Sequence, residues 1–204
     1  MQAGEADANK HRRIGLTGGI GMGKTTISNY LAAKQVPVLD ADVYAREAVE
    51  PGSAVLFEIM ARYGASILLP DGTLDRQQLA GIIFSSPPEK IWLEQQIHPF
   101  VRDRLETELR RLVDAPILLL VIPLLFEAGM TDLITEIWVV RTHQEQQEQW
   151  LKERDRLNPD QIRARIDGQM AIDLKVQQAN VVIDNSSTLE ALYQQVNKAL
   201  GTST

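Results

Sequence analysis

Apolar residues gather into short runs separated by longer stretches of mixed character. The first run, Arg13-Ile14-Gly15-Leu16, ends in a glycine-rich turn, and a helical pattern follows over residues 24–34. Val36-Pro37-Val38-Leu39 predicts a second strand ending at Asp40, with its proline near the strand start, where a missing donor is tolerated. Residues 41–113 hold no strand pattern. Their periodicity is helical, punctuated by Pro51-Gly52, Pro70-Asp71-Gly72 and Pro87-Pro88. Ile117-Leu118-Leu119-Leu120-Val121-Ile122 is continuously apolar, as strands covered by helices on both faces are. Ile137-Trp138-Val139-Val140 predicts a fourth strand, followed by a Gln/Glu-rich helix from about His143. Val181-Val182-Ile183 predicts a fifth strand, followed by a helix over 189–200.

Five short strands alternating with helices specify a parallel α/β sheet with right-handed crossovers. The helical stretch between the second and third strands reads as an insertion able to form a subdomain. With 204 residues the chain can bury a real core, and it has no cysteine, so disulfides, thiolate metal sites and a Cys nucleophile are excluded. A net charge of −6 and an aromatic content of 5% argue against a nucleic-acid surface. The longest apolar candidate, residues 116–125, is half the length of a membrane helix. Residues 1–12 are polar, carry Glu5 and Asp7, and lack the apolar stretch of a secretory signal. They are expected to form a disordered leader, and the protein to be cytoplasmic with no obligate protein partner.

Gly18-Gly19-Ile20-Gly21-Met22-Gly23-Lys24-Thr25 satisfies G-x-x-x-x-G-K-[ST] between a predicted strand and a predicted helix. Glycines let backbone N–H groups curl around phosphate oxygens, and the helix presents its positive end to them. The expected cradle for ATP is Gly21, Met22, Gly23, Lys24, Thr25 and Thr26. Lys24 reaches the β- and γ-phosphates and the Thr25 hydroxyl binds Mg2+. Asp40 and Asp42 close the second apolar run at the carboxyl edge of the sheet, where open α/β folds bind ligands. One carboxylate can take the proton of an attacking hydroxyl and the other can orient Mg2+ waters; the alternative is a helix cap. The third run ends in Pro123 rather than Asp, and no N-K-x-D or T-K-x-D occurs, which weighs against a switch GTPase or motor ATPase.

Further ordered matches extend the pattern. Gly15-Leu16-Thr17 leads into the P-loop, and Ala45-Arg46-Glu47 follows Asp40-Ala41-Asp42. Then come Asp75-Arg76 with Leu79, His98-Pro99, Pro123-Leu124-Leu125-Phe126-Glu127, and Ala179-Asn180-Val181-Val182-Ile183-Asp184-Asn185. From Ile14 to about Leu200 this set resembles the dephospho-coenzyme A kinase family. The resemblance implies phosphorylation of the ribose 3′-hydroxyl of dephospho-coenzyme A by ATP and Mg2+, with Asp42 as catalytic base beside Lys24. It implies a five-stranded parallel P-loop core (13–42, 114–142, 181–204), a helical acceptor-binding insertion (43–113) and a helical lid (143–180). Trp150 stands where the family usually carries a lid arginine, and Arg154, one turn away, is the candidate to replace it. Ala171 stands where a proline is usual.

Arg154, Arg156, Arg163 and Arg165 form a cluster that either neutralises phosphoryl charge or lies on a solvated helix paired with Glu153 and Asp160. Asp40, Arg76 and His98 are candidate acceptor contacts. Arg76 equally suits a pair with Asp75 or Asp71, and His98 before Pro99 equally suits the end of a helix. The alternatives to the leading reading are a nucleoside or nucleotide kinase, or an ATP-dependent regulatory switch.

Overall fold

A computed structural model describes residues 11–201, the Phe84 side chain apart. Five strands, β1 (Arg12–Gly18), β2 (Val38–Asp40), β3 (Ile117–Val121), β4 (Glu136–Arg141) and β5 (Val181–Asp184), form one sheet in the order β2-β3-β1-β4-β5. Every pairing is parallel. The helices of the described residues are α1 (Lys24–Ala33), α2 (Ala41–Glu47), α3 (Ala54–Tyr63), α4 (Arg76–Ser85), α5 (Pro87–Arg111), α6 (Gln144–Asp155), α7 (Pro159–Asp167), α8 (Ile172–Gln177) and α9 (Leu189–Leu200). The expected α/β class and parallel five-stranded core are those of the structure. None of these helices is long and apolar enough to cross a membrane.

The chain divides into two compact units, one made of the residues up to Asp40 and from Leu112 onward, the other of Ala41–Arg111. The first contains the sheet. Its core joins Ile14, Leu16, Leu119, Val121, Trp138, Val140 and Ile183 of the strands to Ile27 and Leu31 of α1 and Leu192, Val196 and Leu200 of α9. The α9 residues recur at four-residue spacing, which places them in one stripe along the helix. Thr188 caps α9 by accepting from Ala191 N–H, and Gly201 ends it at φ 78°. In the second unit, Val55, Leu56 and Ile59 of α3 meet Ile67, Leu74, Leu79 and Leu93 in a core of its own.

Three expectations change. Residues 1–10 of the expected leader lie outside the described residues, but its last two are structured. His11 Nδ1 lies 2.9 Å from Ala115 O, and Arg12 opens β1 opposite Ile117. The Arg12 guanidinium binds Glu136 at 2.6 Å and the carbonyls of Ala199 and Leu200 at 3.0 Å, so the strand is tied down one residue early. Second, of the two readings left open for His98, the helix end is not realised, and α5 runs through Pro99. The proline removes one helical donor, while buried Leu93 before it and Val101 and Leu105 after it keep both halves in register. Third, the insertion is helical except for an antiparallel bridge, Leu68 to Leu74, across the Pro70-Asp71-Gly72 turn.

Candidate active site

The P-loop leaves the carboxyl end of β1 and turns into α1 at Lys24. Gly23 holds the N-cap position at φ 102°, a conformation open to glycine, and a Cβ there would collide with the Asn185 carboxamide. With no side-chain cap and no acidic residue in its first turn, α1 presents a positive N-terminus to an anion. Lys24 Nζ donates to Gly18 O at 2.8 Å and Gly19 O at 2.9 Å. Thr25 is exposed, and Thr26 N–H bonds Gly23 O at 3.1 Å. A cradle of glycine backbone, ammonium and hydroxyl is the donor set a nucleoside triphosphate needs.

Asp40 ends β2 opposite Val121 of β3, which in turn lies opposite Leu16 of β1. At ~4.8 Å per strand, its Cα is ~10 Å across the sheet edge from β1. The strand stops there. Ala41 already begins α2, so Asp42 is an exposed first-turn residue of the second unit, and the alternation that would turn both carboxylates the same way does not apply. Arg76 opens α4 and donates to Arg46 O at 3.4 Å. Asp75 instead caps α4 through Gln77 and Gln78 N–H, and Asp71 accepts from Thr73. His98 is half-buried midway along α5.

The arginine-rich stretch is two helices rather than one. α6 ends at Asp155, Arg156 takes φ 54°, and α7 opens with a capping box between Asn158 and Gln161. Arg154 pairs with Asp155 through two 2.8 Å bonds rather than with Glu153 or Asp160, and Arg165 reaches the same carboxylate at 3.6 Å. The Arg154 hydrogen bonds, outweighing desolvation, hold the Asp155 carboxyl below its ordinary range.

Several residues around the loop carried no functional reading in the sequence. Gln147 of α6 donates to Ile20 O at 2.7 Å, Gln169 accepts from Ile20 N–H at 2.9 Å, and Asn185 donates to Met22 O at 3.0 Å. Nothing in the polar run around Gln147 marks it. Asn185 could have been found by its place just beyond β5, at the same carboxyl edge of the sheet as the loop. Lys175 is fully buried, with Nζ 2.9 Å from Glu127 Oε1 and 3.0 Å from Pro123 O, the carbonyl that also accepts from Thr17. Burial pushes the Glu127 carboxyl up, but bonds from the Met170 and Glu127 backbone and from Lys175 outweigh it, and its pKa lies below the ordinary value.

A family model for dephospho-CoA kinase matches residues 12–191. The dephospho-CoA kinase of Trichormus variabilis is 54% identical over 192 residues, 93% of this chain and 96% of that protein. A crystal structure from Thermus thermophilus is 35% identical and superposes with a TM-score of 0.79, covering 94% of this chain and 98% of that one. The structure of the dephospho-CoA kinase of Campylobacter jejuni is 25% identical with a TM-score of 0.69, over 93% and 95% of the two chains.

Proposed function

The chain belongs to the dephospho-CoA kinase family, and we propose that its P-loop holds the triphosphate of ATP while Asp42 takes the proton of the attacking hydroxyl. The reaction is the phosphorylation of the ribose 3′-hydroxyl of dephospho-coenzyme A by ATP, the final step of coenzyme A synthesis. A sugar hydroxyl is a poor nucleophile, and a carboxylate within hydrogen-bond reach removes its proton as the new O–P bond forms. Lys24 places its ammonium against charge spread over the transferring phosphoryl oxygens.

Mg2+ supplies charge neutralisation between the phosphates. Among the described residues no group of three or more His, Asp or Glu could hold a metal. Mg2+ that arrives on a triphosphate needs only one or two protein oxygens. Thr25 and Asp40 provide them. Arg154 contributes charge from the lid, Arg76 and His98 meet the acceptor, and residues 43–113 form the acceptor-binding part. The cytoplasm, where ATP is abundant, is the setting.

The observation that carries this reading is the uncapped start of α1, where Gly23 has no side chain to offer and Lys24 leans over the loop. An ADP-coupled assay with dephospho-coenzyme A, adenosine and nucleoside monophosphates tests it. Turnover is expected with dephospho-coenzyme A alone. Preference for adenosine or a monophosphate would move the enzyme to the nucleoside or nucleotide kinases, and acceptor-independent hydrolysis would point to a switch.

A further inference from the structure

Three side-chain amides grip the P-loop from outside, and we propose that Gln147 and Asn185 are positioning residues that turn its N–H groups inward, while Gln169 fixes the Gly19–Ile20 peptide with its carbonyl toward Lys24. The inference rests on the reading of this loop as the ATP phosphate site. In a trans peptide the C=O of one residue and the N–H of the next point in opposite directions. Gln147 Nε2 donates to Ile20 O at 2.7 Å, which drives the Gly21 N–H the other way. Asn185 Nδ2 does the same at Met22 O, 3.0 Å, for the Gly23 N–H. Gln169 Oε1 accepts from Ile20 N–H at 2.9 Å, which turns the Gly19 carbonyl to the side where Lys24 Nζ meets it, also at 2.9 Å. Gln147 and Asn185 thus take up carbonyls that would spoil an anion site and leave N–H groups facing in, whereas Gln169 aims a carbonyl at the Lys24 ammonium.

The loop needs such help. Glycines allow its peptides to rotate at little steric cost. Converging N–H dipoles repel one another when no phosphate stands between them, so a loop left to itself relaxes by turning carbonyls in. The grip comes from three separate elements: α6, the turn after α7, and the residue after β5. Gln147 is only 3% exposed although its helix is strongly polar, and a Cβ on Gly19 would lie 3.1 Å from its Nε2. Leu151, one turn further along α6 and fully buried, would stand 3.0 Å from a Cβ on Gly21. The loop and α6 are thus fitted to each other at backbone distance.

Gln147→Met keeps the length of the side chain and removes its donor; Asn185→Asp keeps the shape and sets an acceptor against Met22 O. Titration calorimetry of the full chain with ATP, inorganic tripolyphosphate and dephospho-coenzyme A, with melting temperature and steady-state kinetics alongside, reads the effect. Each variant is expected to weaken ATP and tripolyphosphate about 10-fold, the worth of one misdirected hydrogen bond to a charged group. KM for ATP should rise more than kcat falls, with dephospho-coenzyme A affinity and melting temperature nearly kept. Unchanged tripolyphosphate affinity overturns the proposal, and so does an equal loss for both substrates with a lowered melting temperature, the mark of a merely structural role. Should either variant not fold, Gln147→Glu, which sets an acceptor against Ile20 O, or Asn185→Leu, which removes the donor to Met22 O, faces the same criteria. If the unaltered protein itself does not bind tripolyphosphate, the ATP-site reading falls and the proposal with it. If it binds and the variants bind equally well, only the proposal falls.

Discussion

At the scale of single residues, the roles proposed for Asp40 and Asp42 differ because α2 begins between them at Ala41. The carboxylate on the strand end stays beside the sheet edge where the loop emerges; the one in the helix belongs to the unit assigned to the acceptor. Asp42→Asn is therefore expected to lower kcat about 10²–10⁴-fold with little change in ATP affinity, the usual span for a general base. Asp40→Asn should instead raise the Mg2+ concentration needed for half-maximal rate. The reverse pattern, read from rates across a Mg2+ series, would exchange the two roles. Lys24, Thr25 and the two aspartates stand out in the sequence as candidates because local spacing alone marks them. Gln147 does not, since its partner Ile20 is 127 residues away and Asn185 reaches across 163. A contact of that separation leaves no periodic trace.

Among the elements, the strands and the two helices flanking the core could be read from apolar pattern alone, and α9 falls on its expected residues, Leu189–Leu200. Pattern said less about α5, where local proline chemistry admits a stop and burial on both sides carries the helix through. The arginine-rich stretch reads as continuously helical because its charges hide the break at Arg156, a non-glycine residue in the left-handed region that no turn motif announced. That break sets Arg154 and Arg165 on different helices with Asp155 between them. Arg154→Ala should lower kcat/KM for ATP about 10-fold or more if this guanidinium leaves Asp155 for phosphate oxygens. Trp150→Arg restoring the rate in the Arg154→Ala background would show that either position can supply the charge. No loss in Arg154→Ala would remove the residue from the site.

For the molecule as a whole, acid tests the first unit through Glu127 and Lys175. The Glu127 pKa is depressed by folding, so the unfolded chain binds its proton more readily. The stability this contributes is complete above the ordinary value of 4.5 and is lost as pH falls below it. Melting temperature should thus drop between pH 4.5 and lower values. Glu127→Gln should flatten that slope and lower the melting temperature at pH 7, because Lys175 is left buried without its counter-charge. An unchanged slope in the variant would assign the acid loss to other carboxylates.

The order of strands also has a consequence for synthesis. β1 leaves the ribosome first, yet both of its neighbours, β3 and β4, lie beyond the whole of Ala41–Arg111. The second unit is one unbroken segment with its own apolar core, complete before either partner of β1 has been made. A nascent chain therefore carries an unpaired apolar strand and an open glycine loop until translation has passed Ile117, and gains the amides that grip the loop only when Gln147, Gln169 and then Asn185 emerge. The loop is thus read well before the three amides that hold it, and the phosphate site takes its final form only once Asn185 has been made.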